Sequence, residues 1–132
     1  MVNTPSGATL DLLFFGLDHG INSVRDGGGP LIPLTVTEAS GERSLQRFVA
    51  ERVEESVAHA AASAKATPLT SQVVLVYDGF LTHGGLRTDA IFAEVREGPE
   101  VAIMVQRYRP KKLLRRFETV GEPTLIAGPG QL

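Results

Sequence analysis

The sequence predicts an α+β fold in which one long amphipathic helix packs on a mainly antiparallel sheet of about five to six strands, a two-layer sandwich. Three observations predict it. Apolar residues between Glu42 and Ala66 recur at three- and four-residue spacing, the period of one helix face. From Gln72 onward, runs rich in valine and leucine are separated by Gly84-Gly85 and Gly98-Pro99, the pattern of strands joined by tight turns. The chain has 132 residues, 42% apolar and 21% charged, which suits one globular domain spanning 1–132.

In chain order, Met1 to Ser6 is expected to fray. Leu10 to Leu17 is a short apolar run read as a strand, and Asp18 to Pro30, with Gly20, Gly27, Gly28 and Gly29, reads as a glycine-rich loop. Leu31 to Thr37 reads as a strand, placed at the sheet edge because Pro33 has no amide proton to donate. The helix predicted over Glu42 to Ala66 presents Leu45, Phe48, Val49, Val53 and Val57 on one face and Arg47, Glu51, Glu54 and Glu55 on the other. Ser40 is placed to cap it and Thr67-Pro68 to stop it. Small residues from Ala58 to Ala64 let it approach the sheet closely. Strands follow over Gln72 to Thr82, Arg87 to Glu97 and Val101 to Arg109. Lys111 to Arg116 reads as a short helical turn, a last strand lies around Thr124 to Ala127, and residues 128–132 form a frayed tail.

Composition excludes several classes of chemistry. The chain has no cysteine, so disulfides, thiolate nucleophiles and cysteine-ligated metal centres are absent. No run reaches the roughly 18 apolar residues of a membrane span, and Met1 to Ser6 lacks the basic start of a secretory signal. The expectation is a cytoplasmic protein with no cofactor and no membrane partner.

With Gly84 and Gly85 as turn residues, Tyr77 opposes Phe92, Asp78 opposes Ile91 and Phe80 opposes Asp89. Both faces of this hairpin are then apolar. One helix covers one face, so a homodimer is expected to cover the other unless the N-terminal segment or a curl of the sheet does so. The same register makes Asp78 and Asp89 diagonal neighbours, with Glu94 further along on the opposite face. Carboxylates held close together bind a divalent cation or share a proton. Asp78, Asp89 and Glu94 are therefore the candidate catalytic set of a hydrolytic reading, and Asp78 with Asp89 its candidate metal pair. In the simpler reading Asp78 starts a bend and Asp89 pairs with Arg87 or Arg107.

The order of elements from Glu42 to Ala127, a helix, a three-strand meander, a short helix and a strand, resembles the core order of restriction-endonuclease-like nucleases. That resemblance implies a metal-dependent nuclease with Asp89 in the position of the aspartate on the second meander strand. The Glu-x-Lys of the third strand is missing, because Val101 to Tyr108 contains neither residue. His19, His59 and His83 have no metal-ligand spacing, and Gly27 to Gly29 leads into a strand rather than a phosphate-binding helix.

The densest local signal is basic. Arg107, Arg109, Lys111, Lys112, Arg115 and Arg116 are six of the 13 lysines and arginines, whereas seven basic and 13 acidic side chains precede them. A net charge of -2 thus conceals an acidic body and a cationic segment. Such a segment attracts phosphates or an acidic protein, and Tyr108 offers a stacking surface for a base. The preferred expectation is a non-enzymatic, self-associating binding module that contacts nucleic acid or an acidic protein through residues 107–116. The alternative is a degenerate metal-dependent nuclease or hydrolase.

Overall fold

The computed structural model describes residues 5–68, 70–97, 100–127 and 129–132. Its elements are α1 (Gly7–Gly27), β1 (Leu34–Ala39), β2 (Glu42–Arg47), α2 (Val53–Ala66), β3 (Gln72–His83), β4 (Leu86–Glu97), β5 (Glu100–Arg109) and β6 (Glu118–Ile126). The six strands make one antiparallel sheet in the order β2-β1-β3-β4-β5-β6. The α+β class and the strand count agree with the sequence expectation. The long helix lies elsewhere.

It is α1, formed by residues expected to be a strand and a loop. Thr9, Leu12, Leu13, Gly16, Leu17, Gly20, Ile21 and Val24 are its buried positions, an unbroken 3.6-residue stripe. The Thr9 amide donates to Ser6 Oγ at 3.3 Å, and the Gly28 amide closes the other end on the Val24 carbonyl at 2.9 Å. A cap contributes about 1 kcal/mol, whereas each buried leucine contributes about 1.5–3 kcal/mol. Burial of the stripe therefore decides the helix. Gly16 and Gly20 obscured it in the sequence because glycine normally weakens a helix. Here they face the sheet: a Cβ on Gly16 would sit 3.0 Å from the methyls of Val74 and Val76, and one on Gly20 would sit 2.9 Å from Val76. The glycines let the helix axis come down onto β3 and β4. The core beneath joins Leu12, Leu13 and Leu17 to Val74, Val76, Ile91 and Val95.

The helix expected over Glu42 to Ala66 divides in two. Ser40 (φ 52°) and Gly41 (φ 79°) both have positive φ, the requirement of a two-residue hairpin turn matched to strand twist. Ser40 is thus a turn residue rather than a cap, and residues 42–47 pair back on β1. Only α2 remains helical, ending at Thr67 as expected. Its Ala60 and Ala61 pack on Leu75 on the sheet face opposite α1, the close approach that small side chains allow. Pro33 precedes β1, which lies between β2 and β3, and its carbonyl accepts from the Phe48 amide at 2.9 Å. The edge placement is corrected accordingly.

The hairpin register holds: Tyr77 pairs with Phe92, Asp78 with Ile91 and Phe80 with Asp89. The expected turn at Gly98-Pro99 lies outside the described residues. Between β5 and β6, residues 111–116 form a tight turn rather than a helical one, and β6 begins earlier than expected, at Glu118. The tail is docked. The amides of Gln131 and Leu132 donate to the Glu94 carboxylate at 2.8 Å and 3.0 Å. At the other end Ser6 is engaged as the α1 cap, whereas residues 1–4 are outside the described set.

Candidate functional site

The sheet has one end where β3 and β5 finish and β4 and β6 begin. Two groups of predicted site residues gather there. Asp78, midway along β3 and held by Tyr108 near the end of β5, faces the α1 side. Its Oδ2 accepts from the Leu31 amide at 3.0 Å, and both its oxygens lie 2.9 Å from the Tyr108 hydroxyl, which donates to them. Burial pushes the Asp78 carboxyl above the ordinary range, against the pull of the Leu31 amide and the Tyr108 hydroxyl; the nearby Asp89 charge raises it further. The Tyr108 phenol is pushed upward too, first by burial and then by Asp78. It remains a proton donor and not a nucleophile.

Asp89 pairs with Tyr108 across β4 and β5 and lines a cleft of about 500 Å³ with Arg25, Gly28, Tyr108 and Lys111. The ladder runs unbroken through Asp78 and Gly79, so Asp78 does not start a bend and shares the α1 face with Asp89. Glu94 does not join them. It is fully buried on the opposite face, where the Tyr77 hydroxyl donates to it together with the Gln131 and Leu132 amides. Burial and the Glu94 carboxylate push the Tyr77 phenol up. Among the described residues no cluster of three or more carboxylates or histidines could hold a metal ion. His19 lies against Arg47 at 3.2 Å, and since arginine only donates, His19 Nε2 is the acceptor. His59 and His83 are exposed on α2 and at the β3–β4 tip. The glycines 27–29 close the C-terminal end of α1, the negative pole of its dipole and a poor cradle for an anion.

The basic segment divides by role. Arg109 is paired with Glu118 at 2.7 Å. Lys111, Lys112, Arg115 and Arg116 are exposed, and among the described residues none of them lies within ion-pair distance of a carboxylate. Two backbone bonds fix the turn: the Lys112 amide donates to the Arg115 carbonyl at 2.9 Å, and the Arg115 amide to the Lys112 carbonyl at 3.1 Å. The β3–β4 tip lies alongside, and Leu86 and Arg87 share a groove of about 300 Å³ with Lys112 and Arg115. Tyr108 differs from its expected role. It is 3% exposed and stacked on Phe117 at 5.4 Å, so it presents no ring to a base.

The sequence reading passed over Leu113 and Leu114, the two residues of that turn, which are 98% and 97% exposed. The available signal was an apolar pair between Lys-Lys and Arg-Arg with no helical or strand period to bury it. Comparisons with protein-family models, with curated proteins and with solved structures returned no match. The element order behind the nuclease resemblance is altered at both ends, since residues 42–47 form a strand and 111–116 a turn.

Proposed function

We propose that this protein is a non-enzymatic binding module that meets an anionic partner through the cationic end of its sheet, residues 107–116. One observation carries the reading: four exposed cations on and beside a backbone-fixed turn, with no carboxylate among the described residues within ion-pair distance of them. Surface charges left unpaired on a body that is otherwise acidic create a local field that steers an oppositely charged partner. A cytoplasmic location is part of this reading.

Fluorescence anisotropy with a labelled single-stranded RNA as a generic polyanion tests it. Binding is expected at low salt, falling steeply as salt rises, and Arg115→Glu with Arg116→Glu is expected to lower affinity at least about tenfold, two phosphate contacts having been reversed in sign. Unchanged binding in that double variant refutes the assignment.

The hydrolytic alternative rests on Asp78 and Asp89, which share a face beside a cleft. Glu94 lies on the other face, and Asp78 spends both oxygens on Tyr108 and one on Leu31. A rise in melting temperature with manganese, lost in Asp89→Asn, is the result that would favour it. Self-association has a narrower basis than a wholly uncovered face, because α1 covers one side and α2 part of the other. The half-buried Leu81, Phe92 and Ile126, on the α2 side but beyond α2, are where a second copy would sit. Light scattering that gives a monomer mass throughout the micromolar range excludes it.

A further inference from the structure

The cationic turn has an apolar apex, and the two properties together narrow the partner. Leu113 and Leu114 occupy the corner of a turn held by two backbone hydrogen bonds, and at 98% and 97% exposure they touch almost nothing of their own chain. None of the other exposed large apolar residues among those described exceeds 77% exposure, and two of them are covered by an arginine. Phe15 has Arg43 over its ring at 4.6 Å and Phe80 has Arg87 over its ring at 4.0 Å, so both lean on neighbours. A lone surface leucine carries no message. Two adjacent leucines at the corner of a hydrogen-bonded turn, flanked by Lys111, Lys112, Arg115 and Arg116, do. Leu86 adds a third apolar side chain, 64% exposed, on the neighbouring hairpin tip.

Three classes of anionic partner make different demands on this shape. A nucleic acid engages cations through phosphate and rewards aromatic rings with base stacking; the one aromatic in the segment, Tyr108, is buried, and the leucines would stay in water. An acidic protein needs a concave pocket that fits both leucines inside a rim of carboxylates. A bilayer bearing anionic lipids needs no shape match. Its headgroup region attracts the cations, and its acyl boundary accepts a convex apolar wedge. The body of the chain sharpens the orientation, since seven basic and 13 acidic side chains precede residue 107. A surface that attracts the turn repels the rest.

We propose that the β5–β6 turn is a membrane-surface wedge, inserting Leu113 and Leu114 at the headgroup–acyl boundary of an anionic bilayer while Lys111, Lys112, Arg115 and Arg116 rest on lipid phosphates and carboxylates. This inference rests on the cationic-end reading and names the partner of that same site. No described helix is long and apolar enough to cross a membrane; a wedge crosses nothing. Neither signal suffices alone, since stable attachment generally takes an apolar insertion combined with a polybasic patch.

The test uses vesicles of phosphatidylcholine alone and vesicles with one third phosphatidylserine. The protein is expected to sediment with the second and not the first. Leu113→Ser with Leu114→Ser is expected to weaken that binding by about tenfold or more, the apolar contribution of two leucines half-buried at an interface. It should leave the melting temperature unchanged, because nothing packs on either residue. Arg115→Glu with Arg116→Glu is expected to weaken it by about 30-fold or more, each cation near an anionic surface contributing about fivefold. The chain has no tryptophan, so Leu113→Trp is a single reporter whose emission should shift to the blue on anionic vesicles. Equal vesicle binding by the leucine double variant, or no blue shift, overturns the wedge. Binding of RNA but not of anionic vesicles, lost in Arg115→Glu with Arg116→Glu, overturns the membrane partner and leaves the cationic-end reading standing. Absence of both kinds of binding overturns both.

Discussion

Two carboxylates on opposite faces of the sheet, the half-buried Asp78 and the buried Glu94, show how position sets the role of a residue. Asp78 ties the α1–β1 connection to β5 through Leu31 and Tyr108, yet its folded-state carboxyl titrates above the ordinary 3.8. A carboxyl raised in the folded state favours folding in its protonated form. That contribution is present below the ordinary value and is lost as pH rises through the raised one. Asp78→Asn keeps an acceptor for the Leu31 amide and has no charge to desolvate. Its stability relative to wild type is therefore expected to increase as pH rises from 3.8 through the raised value, read as the difference between two urea-denaturation series; a difference constant with pH contradicts this origin. Glu94, on the other face, is wholly buried and is supplied with donors by Tyr77 and the tail. Glu94→Ala strands those donors and is expected to lower stability by about 2–3 kcal/mol. It should also free residues 131 and 132 for carboxypeptidase, and a digestion rate equal to wild type would show that Glu94 does not hold the tail.

At the scale of elements, what the sequence revealed depends on which signal each element used. The β3–β4 hairpin was legible to the residue because Gly84-Gly85 is a two-residue turn, and the length of the turn sets the register of the strands that it joins. The α1 helix was not legible, since the residues that let it dock, Gly16 and Gly20, are the residues that usually end a helix. Propensity lost to tertiary packing there. In β2 and the residues just after it the local signal misled in the other direction: Leu45, Phe48 and Val49 imitate a helical face, while the turn at Ser40-Gly41 carries the deciding information. For the candidate site, charge was visible from composition, but burial of Tyr108 and exposure of Leu113 and Leu114 depend on contacts that no short window contains. The docking glycines give a direct check. Gly20→Ala gains about 1 kcal/mol of helix propensity but drives a Cβ to 2.9 Å from Val76 and 3.0 Å from Ile91. Overpacking of stiff, branched neighbours costs about 1–3 kcal/mol, so a net loss of about 1 kcal/mol is expected in urea denaturation. A stabilised variant would mean that α1 can lift from the sheet at no expense.

Across the whole molecule, structure and charge are segregated in the same direction. The hydrophobic layer under α1 and the smaller one under α2 share the sheet between them, and the densest group of cations, residues 107–116, lies at one end of that sheet. A net charge of -2 describes neither part. The arrangement of α1 has a further consequence, for the order in which the chain can acquire structure. Its apolar stripe, residues 9–24, rests on Val74, Val76, Ile91, Ala93 and Val95, some 50 to 85 positions later in the chain. During synthesis the amphipathic helix leaves the ribosome long before the strands that cover it, and β1 likewise waits for β3. Such long-range closure slows folding and leaves apolar surface open to association in the meantime. A nascent chain halted before residue 95 would carry an unshielded leucine face, the kind of surface that chaperones bind, and that face would close only when β4 arrives.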